Sequence, residues 1–92
     1  MKKNPVLNAL SPIQELIKSL GQPLYFRKLN GIVNALEIQV EDRNYHLPTV
    51  LLLCEALLAA AKSHGFDEKV AARFERLVSN LIDLAQDPVN RS

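Results

Sequence analysis

The sequence predicts an all-α fold, a small antiparallel bundle of about four helices joined by short turns. Apolar residues recur at spacings of three and four along the 92-residue chain, which is the periodicity of helices with one buried side. Glycine and proline signals separate these segments, and residues 50–61 are apolar except for Glu55. The length fits one helical domain over residues 1–92, with loose termini expected at residues 1–10 and 88–92.

The first predicted helix covers residues 12–20. The sequence Ser11-Pro12-Ile13-Gln14 has the form of a capping box with proline at the first helical position. Gly21 stands where this helix is expected to end. Its apolar side comprises Ile13, Leu16, Ile17 and Leu20.

Residues 24–42 allow two interpretations. As a helix, the segment has a core stripe with alternating spacings of three and four, formed by Phe26, Leu29, Val33, Leu36 and Val40. As an α+β alternative, Asn30-Gly31 is the turn of a short hairpin and residues 36–41 alternate between apolar and polar. We favour the helix, because a lone hairpin needs a further surface to lie on.

The third predicted helix begins at Leu47-Pro48-Thr49 and ends at His64-Gly65. Its apolar run is shorter than the roughly 20 residues that a membrane span needs. It is also too evenly apolar for an ordinary surface helix, which keeps one polar face. We therefore expect other protein to surround this helix.

This third helix has two unlike apolar faces. The bulky face comprises Leu47, Val50, Leu53, Cys54, Leu57 and Leu58. The opposite face, which we predict to bind a partner, comprises Leu52, Ala56, Ala59 and Ser63. Small side chains allow the backbone of another helix to approach closely. Only the edge marked by Glu55 and Lys62 is expected to contact water.

The fourth predicted helix begins with Asp67 as its N-cap and ends near Gln86. Its core stripe comprises Val70, Phe74, Leu77, Val78, Leu81, Leu84 and Ala85. A second stripe on this helix is basic and consists of Lys69, Arg73 and Arg76. No acidic residue at helical spacing neutralises these three cations.

Two interpretations of the basic residues remain open. Lys69, Arg73 and Arg76 are candidate contacts for phosphates or for an acidic partner surface, together with a second cluster at Arg27 and Lys28. Alternatively, the stripe on the fourth helix is a solvated face, paired in part with Glu37, Glu41 or Asp42.

The sequence offers no constellation for catalysis, for a cofactor or for a metal ion. Cys54, His46 and His64 do not form a metal-ligand spacing, and the three glycines are isolated, which argues against a phosphate-binding loop. Formal net charge is only +1. We therefore expect no enzyme, no small-molecule substrate and no membrane partner. The single cysteine favours a reducing, cytoplasmic location.

The sequence thus predicts a non-enzymatic helical interaction module. It would act as a homodimer, or as a small subunit or adaptor of a larger complex. The alternative is a small helical subunit of a ribonucleoprotein or DNA-bound complex that binds the nucleic-acid backbone independently of sequence.

Overall fold

The computed structural model describes residues 4–21, 23–42 and 44–90, with the side chains of residues 23–26 outside that description. The described elements are α1 (Pro5–Asn8), α2 (Leu10–Ser19), α3 (Pro23–Glu41), α4 (Leu47–Ser63), α5 (Glu68–Gln86) and a 3₁₀ turn (Pro88–Asn90). The part of the chain that the structure describes contains no strand. The all-α prediction is therefore confirmed.

The segment with two interpretations is one continuous helix. Leu29, Val33, Leu36 and Val40 are fully buried along α3, so the spacing of three and four places them on one side of the helix. The hairpin alternative is wrong, because Asn30 and Gly31 lie within the helix rather than in a turn. The side chain of Phe26, also assigned to this stripe, lies outside the described residues.

The start of the chain differs from the sequence prediction. Helix α2 begins at Leu10, its N-cap is Ala9, and no side chain caps it, so the predicted Ser11 capping box does not form. The one-turn helix α1 precedes it.

Residues 4–10 are helical and packed where a loose terminus was expected. The Asn4 side chain accepts a 3.1 Å hydrogen bond from the Leu7 N–H, and Pro5 opens the turn with its fixed backbone angle. The side chain of Val6 is fully buried. Burial of Val6 and the cap on α1 together hold this segment against the bundle.

The other predicted helix boundaries agree with the structure. Gly21 and Gly65 have φ angles of +63° and +64°, the left-handed conformation that glycine adopts without strain at helix ends. Asp67 is the N-cap of α5 and accepts a hydrogen bond from the Lys69 N–H. Helix α5 ends at Gln86, and the 3₁₀ turn follows with Asn90 buried.

The four long helices form an antiparallel bundle because short connections reverse the chain between them. Helix α3 packs on α2 and α4, and α5 packs on α4 and α2. Helices α3 and α5 therefore occupy one diagonal of the bundle. The largest fully buried side chains are Phe74, Leu10, Ile13, Ile17, Leu29, Leu36, Leu57, Leu81, Val6, Val33, Val40 and Val50.

Hydrogen bonds between distant segments define which helix ends lie together. Asn4 Nδ2 donates to the Val40 carbonyl oxygen at 2.9 Å, which joins α1 to the end of α3. The Tyr45 hydroxyl donates to the Ala85 carbonyl oxygen at 2.7 Å, which joins the α3–α4 connection to the end of α5. The starts of α3 and α5 and the ends of α2 and α4 consequently lie at the opposite end of the bundle.

Candidate interaction surfaces

The face of α4 predicted to bind a partner is exposed. Val50, Cys54 and Leu57 of the bulky face are fully buried. On the opposite side, Leu52 is 66% exposed. Ala56, Ala59 and Ser63 are exposed as well. None of the described helices covers this side.

The expectation that only the Glu55–Lys62 edge of α4 would contact water is therefore wrong for the chain alone. The neighbouring helices pack against the two flanks of the bulky face. Leu58 and Lys62 face α5, where they line a pocket together with Phe66 and Phe74. Since α3 packs on α4 from the other flank, the outward side between the flanks stays uncovered.

Helix α3 carries an exposed row of residues that the sequence analysis did not identify as a surface. This row, called the α3 stripe below, consists of Arg27, Gly31, Asn34, Ile38 and Glu41, all exposed. The large apolar residue of this row, Ile38, is 70% exposed. A signal was present in the sequence, because Ile38 is a large apolar residue that lies off the core stripe of an amphipathic helix.

Helices α3 and α4 are neighbours in the bundle. Gln14 Nε2 donates a 3.0 Å hydrogen bond to Glu37 Oε2, so this flank of α3 faces α2 and the other flank faces α4. Ile38 is three residues from the end of α3 and Leu52 is five residues from the start of α4. With one short connection between the two helices, Ile38 and Leu52 stand at similar heights on adjacent helices. Each of these two helices therefore exposes one large apolar side chain toward the end of the bundle where they are connected.

The five basic residues proposed from the sequence are all exposed: Arg27, Lys28, Lys69, Arg73 and Arg76. None of them forms an ion pair with a described carboxylate. The suggested pairing of the α5 stripe with Glu37, Glu41 or Asp42 is absent from the described residues. The physical reason is the diagonal arrangement, which separates α3 from α5.

The topology brings the two basic clusters to one end of the bundle but does not merge them. Arg27 and Lys69 lie near the starts of α3 and α5, and Lys18 and Lys62 lie in the last turns of α2 and α4. Each long helix thus contributes a cation to this end. Because α3 and α5 are diagonal, the two clusters point to different sides of the bundle.

A pocket lies at the α4–α5 turn. It has a volume of about 180 Å³, an apolar lining that includes Leu58 and Phe74, and Lys62 and Glu75 among its charged residues. The Phe66 and Phe74 rings meet edge to face at a centroid distance of 6.2 Å. Ligand pockets usually measure roughly 300–1,000 Å³, so this pocket is small for a substrate site.

Cys54 lies in the core. Its side chain is fully buried, and burial raises the pKa of the thiol from 9.0 to about 11. A thiol with a raised pKa stays protonated near neutral pH and is therefore a poor nucleophile. Within the described residues, no three His, Cys, Asp or Glu side chains are grouped so that they could hold a metal ion.

Comparison of the chain with protein-family models, with curated proteins and with solved structures found no match. Among the described residues, no helix has both the length and the apolar character that crossing a membrane requires. The possible roles of the surfaces on α3, α4 and α5 therefore follow from the exposure, charge and size of their side chains.

Proposed function

We propose that the chain is a non-enzymatic, cytoplasmic helical interaction module that self-associates or serves as a small subunit of a larger complex. One observation carries the proposal. Ile38 and Leu52, on adjacent helices, are 70% and 66% exposed, although other large side chains such as Phe74 and Leu57 are completely buried. A partner that covers such side chains removes apolar surface from water, which is the main driving force of most protein–protein association.

The surroundings of Ile38 and Leu52 suit a helical partner. Gly31 lies on α3, and Ala56 and Ala59 lie on α4, all exposed. Small side chains let a partner helix approach toward the short end of the roughly 8–10 Å range of helix separations. Charged residues at both ends of α3 then provide a polar rim, the usual surroundings of an apolar interface centre.

Site-specific photo-crosslinking tests this function. A photoreactive residue is placed at position 38, at position 52, or at Ser79, an exposed control position on α5. We expect protein crosslinks from positions 38 and 52, in the purified protein or in the source cell, and none above background from position 79. Equal yields at all three positions would overturn the proposal.

A second candidate function is sequence-independent binding to a nucleic-acid backbone. It is supported by the five exposed cations, which form no ion pair with a described carboxylate, and by Lys18 and Lys62 at the same end of the bundle. Phosphate contacts release counterions, so affinity should fall steeply as salt rises. The double variant Arg73→Glu, Arg76→Glu should abolish binding, whereas Asp83→Arg, elsewhere on α5, should not weaken it. Absence of salt-sensitive binding to single- and double-stranded nucleic acid at low salt would exclude this function.

A further inference from the structure

The two halves of the α3 stripe are complementary to each other. Its five residues follow at spacings of four, three, four and three, and all five are exposed. A cation, Arg27, stands seven residues before Asn34, and an anion, Glu41, stands seven residues after it. Gly31, which has no side chain, precedes Asn34 by three residues, and the protruding Ile38 follows it by four.

We propose that this stripe is the interface between two copies of the chain, packed antiparallel about a two-fold axis that passes near Asn34. The inference rests on the proposed function and identifies its partner. In a two-fold interface the same patch serves both copies, so each contact between two different residues occurs twice, and only a residue on the axis meets its own counterpart. In the α3 stripe, Arg27 can pair with Glu41 and Gly31 with Ile38, while Asn34 lies at the axis.

The charges at the ends of the stripe favour this arrangement. Arg27 and Glu41 are fourteen residues apart on one helix, which corresponds to about 21 Å at 1.5 Å per residue. They are therefore too far apart to neutralise each other within one chain. In the antiparallel dimer, Arg27 of each copy lies opposite Glu41 of the other. A parallel dimer would instead place like charges together, which is unfavourable.

The shapes along the stripe are complementary in the same register. No atom of the described residues lies within 4 Å of a Cβ built on Gly31, so nothing described inside the chain requires glycine there. Glycine in a helix interior lowers stability relative to alanine. In the antiparallel dimer, Ile38 of each copy rests on Gly31 of the other, which allows a close helix approach.

The central position completes the surface. Asn34 meets Asn34 of the second copy at the axis, where two amides can each donate and accept one hydrogen bond.

Molar mass measured by light scattering over a wide concentration range tests the dimer and its register. We expect the wild type to dimerise, and Arg27→Glu or Glu41→Arg alone to raise the dimer dissociation constant by about tenfold or more. The double variant Arg27→Glu, Glu41→Arg should restore dimerisation, because each new pair is again opposite in charge. This rescue requires the two residues to meet between copies.

Gly31→Leu adds a test that separates assembly from folding. Leucine favours a helix more than glycine does, so the melting temperature of the monomer should hold or rise, while dimerisation is lost because the site for Ile38 is filled. Asp83→Arg on α5, an exposed position outside the stripe, is the matched control and should dimerise like the wild type.

Three outcomes contradict the inference: a wild type that is monomeric throughout, a double charge variant as weak as the single variants, or normal dimerisation of Gly31→Leu. Crosslinks from positions 38 and 52 to a different protein, together with a monomeric wild type, would reject the dimer and retain the interaction module. Absence of both crosslinks and dimer would reject both.

Discussion

The Tyr45 hydroxyl donates a buried 2.7 Å hydrogen bond to the carbonyl oxygen of Ala85, forty residues away in the chain. Ala85 lies in the last turn of α5, where carbonyl groups lack partners within the helix. One side chain from the α3–α4 connection therefore satisfies the end of the last helix. The bond ties both halves of the bundle together at the end where α3 and α5 finish.

Tyr45→Phe should lower the free energy of unfolding by about 1–2 kcal/mol, because the ring stays while the buried Ala85 carbonyl oxygen loses its donor. Urea unfolding followed by circular dichroism measures the change. The midpoint should fall without a change in the denaturant slope. A midpoint equal to that of the wild type would show that the hydrogen bond adds no net stability.

Asn4 has two separable roles, as cap of α1 through Oδ1 and as donor to the Val40 carbonyl oxygen through Nδ2. Asn4→Ala removes both interactions and should lower the free energy of unfolding by about 1–2 kcal/mol. Asn4→Ser keeps a capping acceptor and removes only the amide donor to Val40, so it should lower it less. Equal losses for the two variants in urea unfolding would contradict a stabilising role for the cap.

Cys54 should make stability depend on alkaline pH. Burial raises the pKa of its thiol from the ordinary 9.0 to about 11, so between these values the unfolded chain releases a proton that the folded chain keeps. Stability is therefore fully present below pH 9 and falls by about 1.4 kcal/mol per pH unit above it, until the folded thiol also ionises.

The matched variant for this prediction is Cys54→Ala, which lacks the thiol but keeps the other titrating groups. The difference in unfolding free energy between wild type and variant should be constant below pH 9. Between pH 9 and pH 11 the wild type should lose stability relative to the variant. A difference that stays constant over this range would exclude a raised thiol pKa.

Gly31→Ala should stabilise the isolated chain by about 0.5–1 kcal/mol, since alanine favours a helix and the added methyl group meets open space. The measurement is urea unfolding at the lowest usable protein concentration. Gly21→Ala is the contrasting control. Because Gly21 has a φ angle of +63°, any side chain at this position should lower the stability of the protein. Destabilisation by Gly31→Ala would point to an unrecognised contact inside the chain.

Periodicity predicted most of the fold. Leu29, Val33, Leu36 and Val40 are buried, as their spacing indicates, and Gly21 and Gly65 end helices with positive φ angles. The start of α2 was mispredicted for a local reason. Ser11 resembles an N-cap, but Asn4 caps a helical turn that lies earlier in the chain. The burial of Val6 stabilises this earlier turn. Such competition between two capping signals depends on tertiary packing, which local spacing does not encode.

The candidate surfaces were only partly predictable. The small face around Ala56 and Ala59 was visible on a helical wheel, but its exposure depends on which flanks of α4 the neighbouring helices occupy. The absence of ion pairs between the basic stripe of α5 and the described acids of α3 was not predictable, because it depends on the diagonal placement of α3 and α5. The exposure of Ile38 was difficult to predict, because Ile38 alternates with Glu37 and Gln39 and this pattern also fits a strand.

If the α3 stripe joins two copies as proposed, the order of Arg27, Gly31, Asn34, Ile38 and Glu41 would also determine how far association can proceed. A surface that is complementary to a different patch on the same molecule stays available after each addition, and such chains grow into filaments. A surface that is complementary to itself is consumed on both partners in a single encounter. Assembly through the α3 stripe would therefore stop at two copies, and a high local concentration would produce closed pairs rather than fibres.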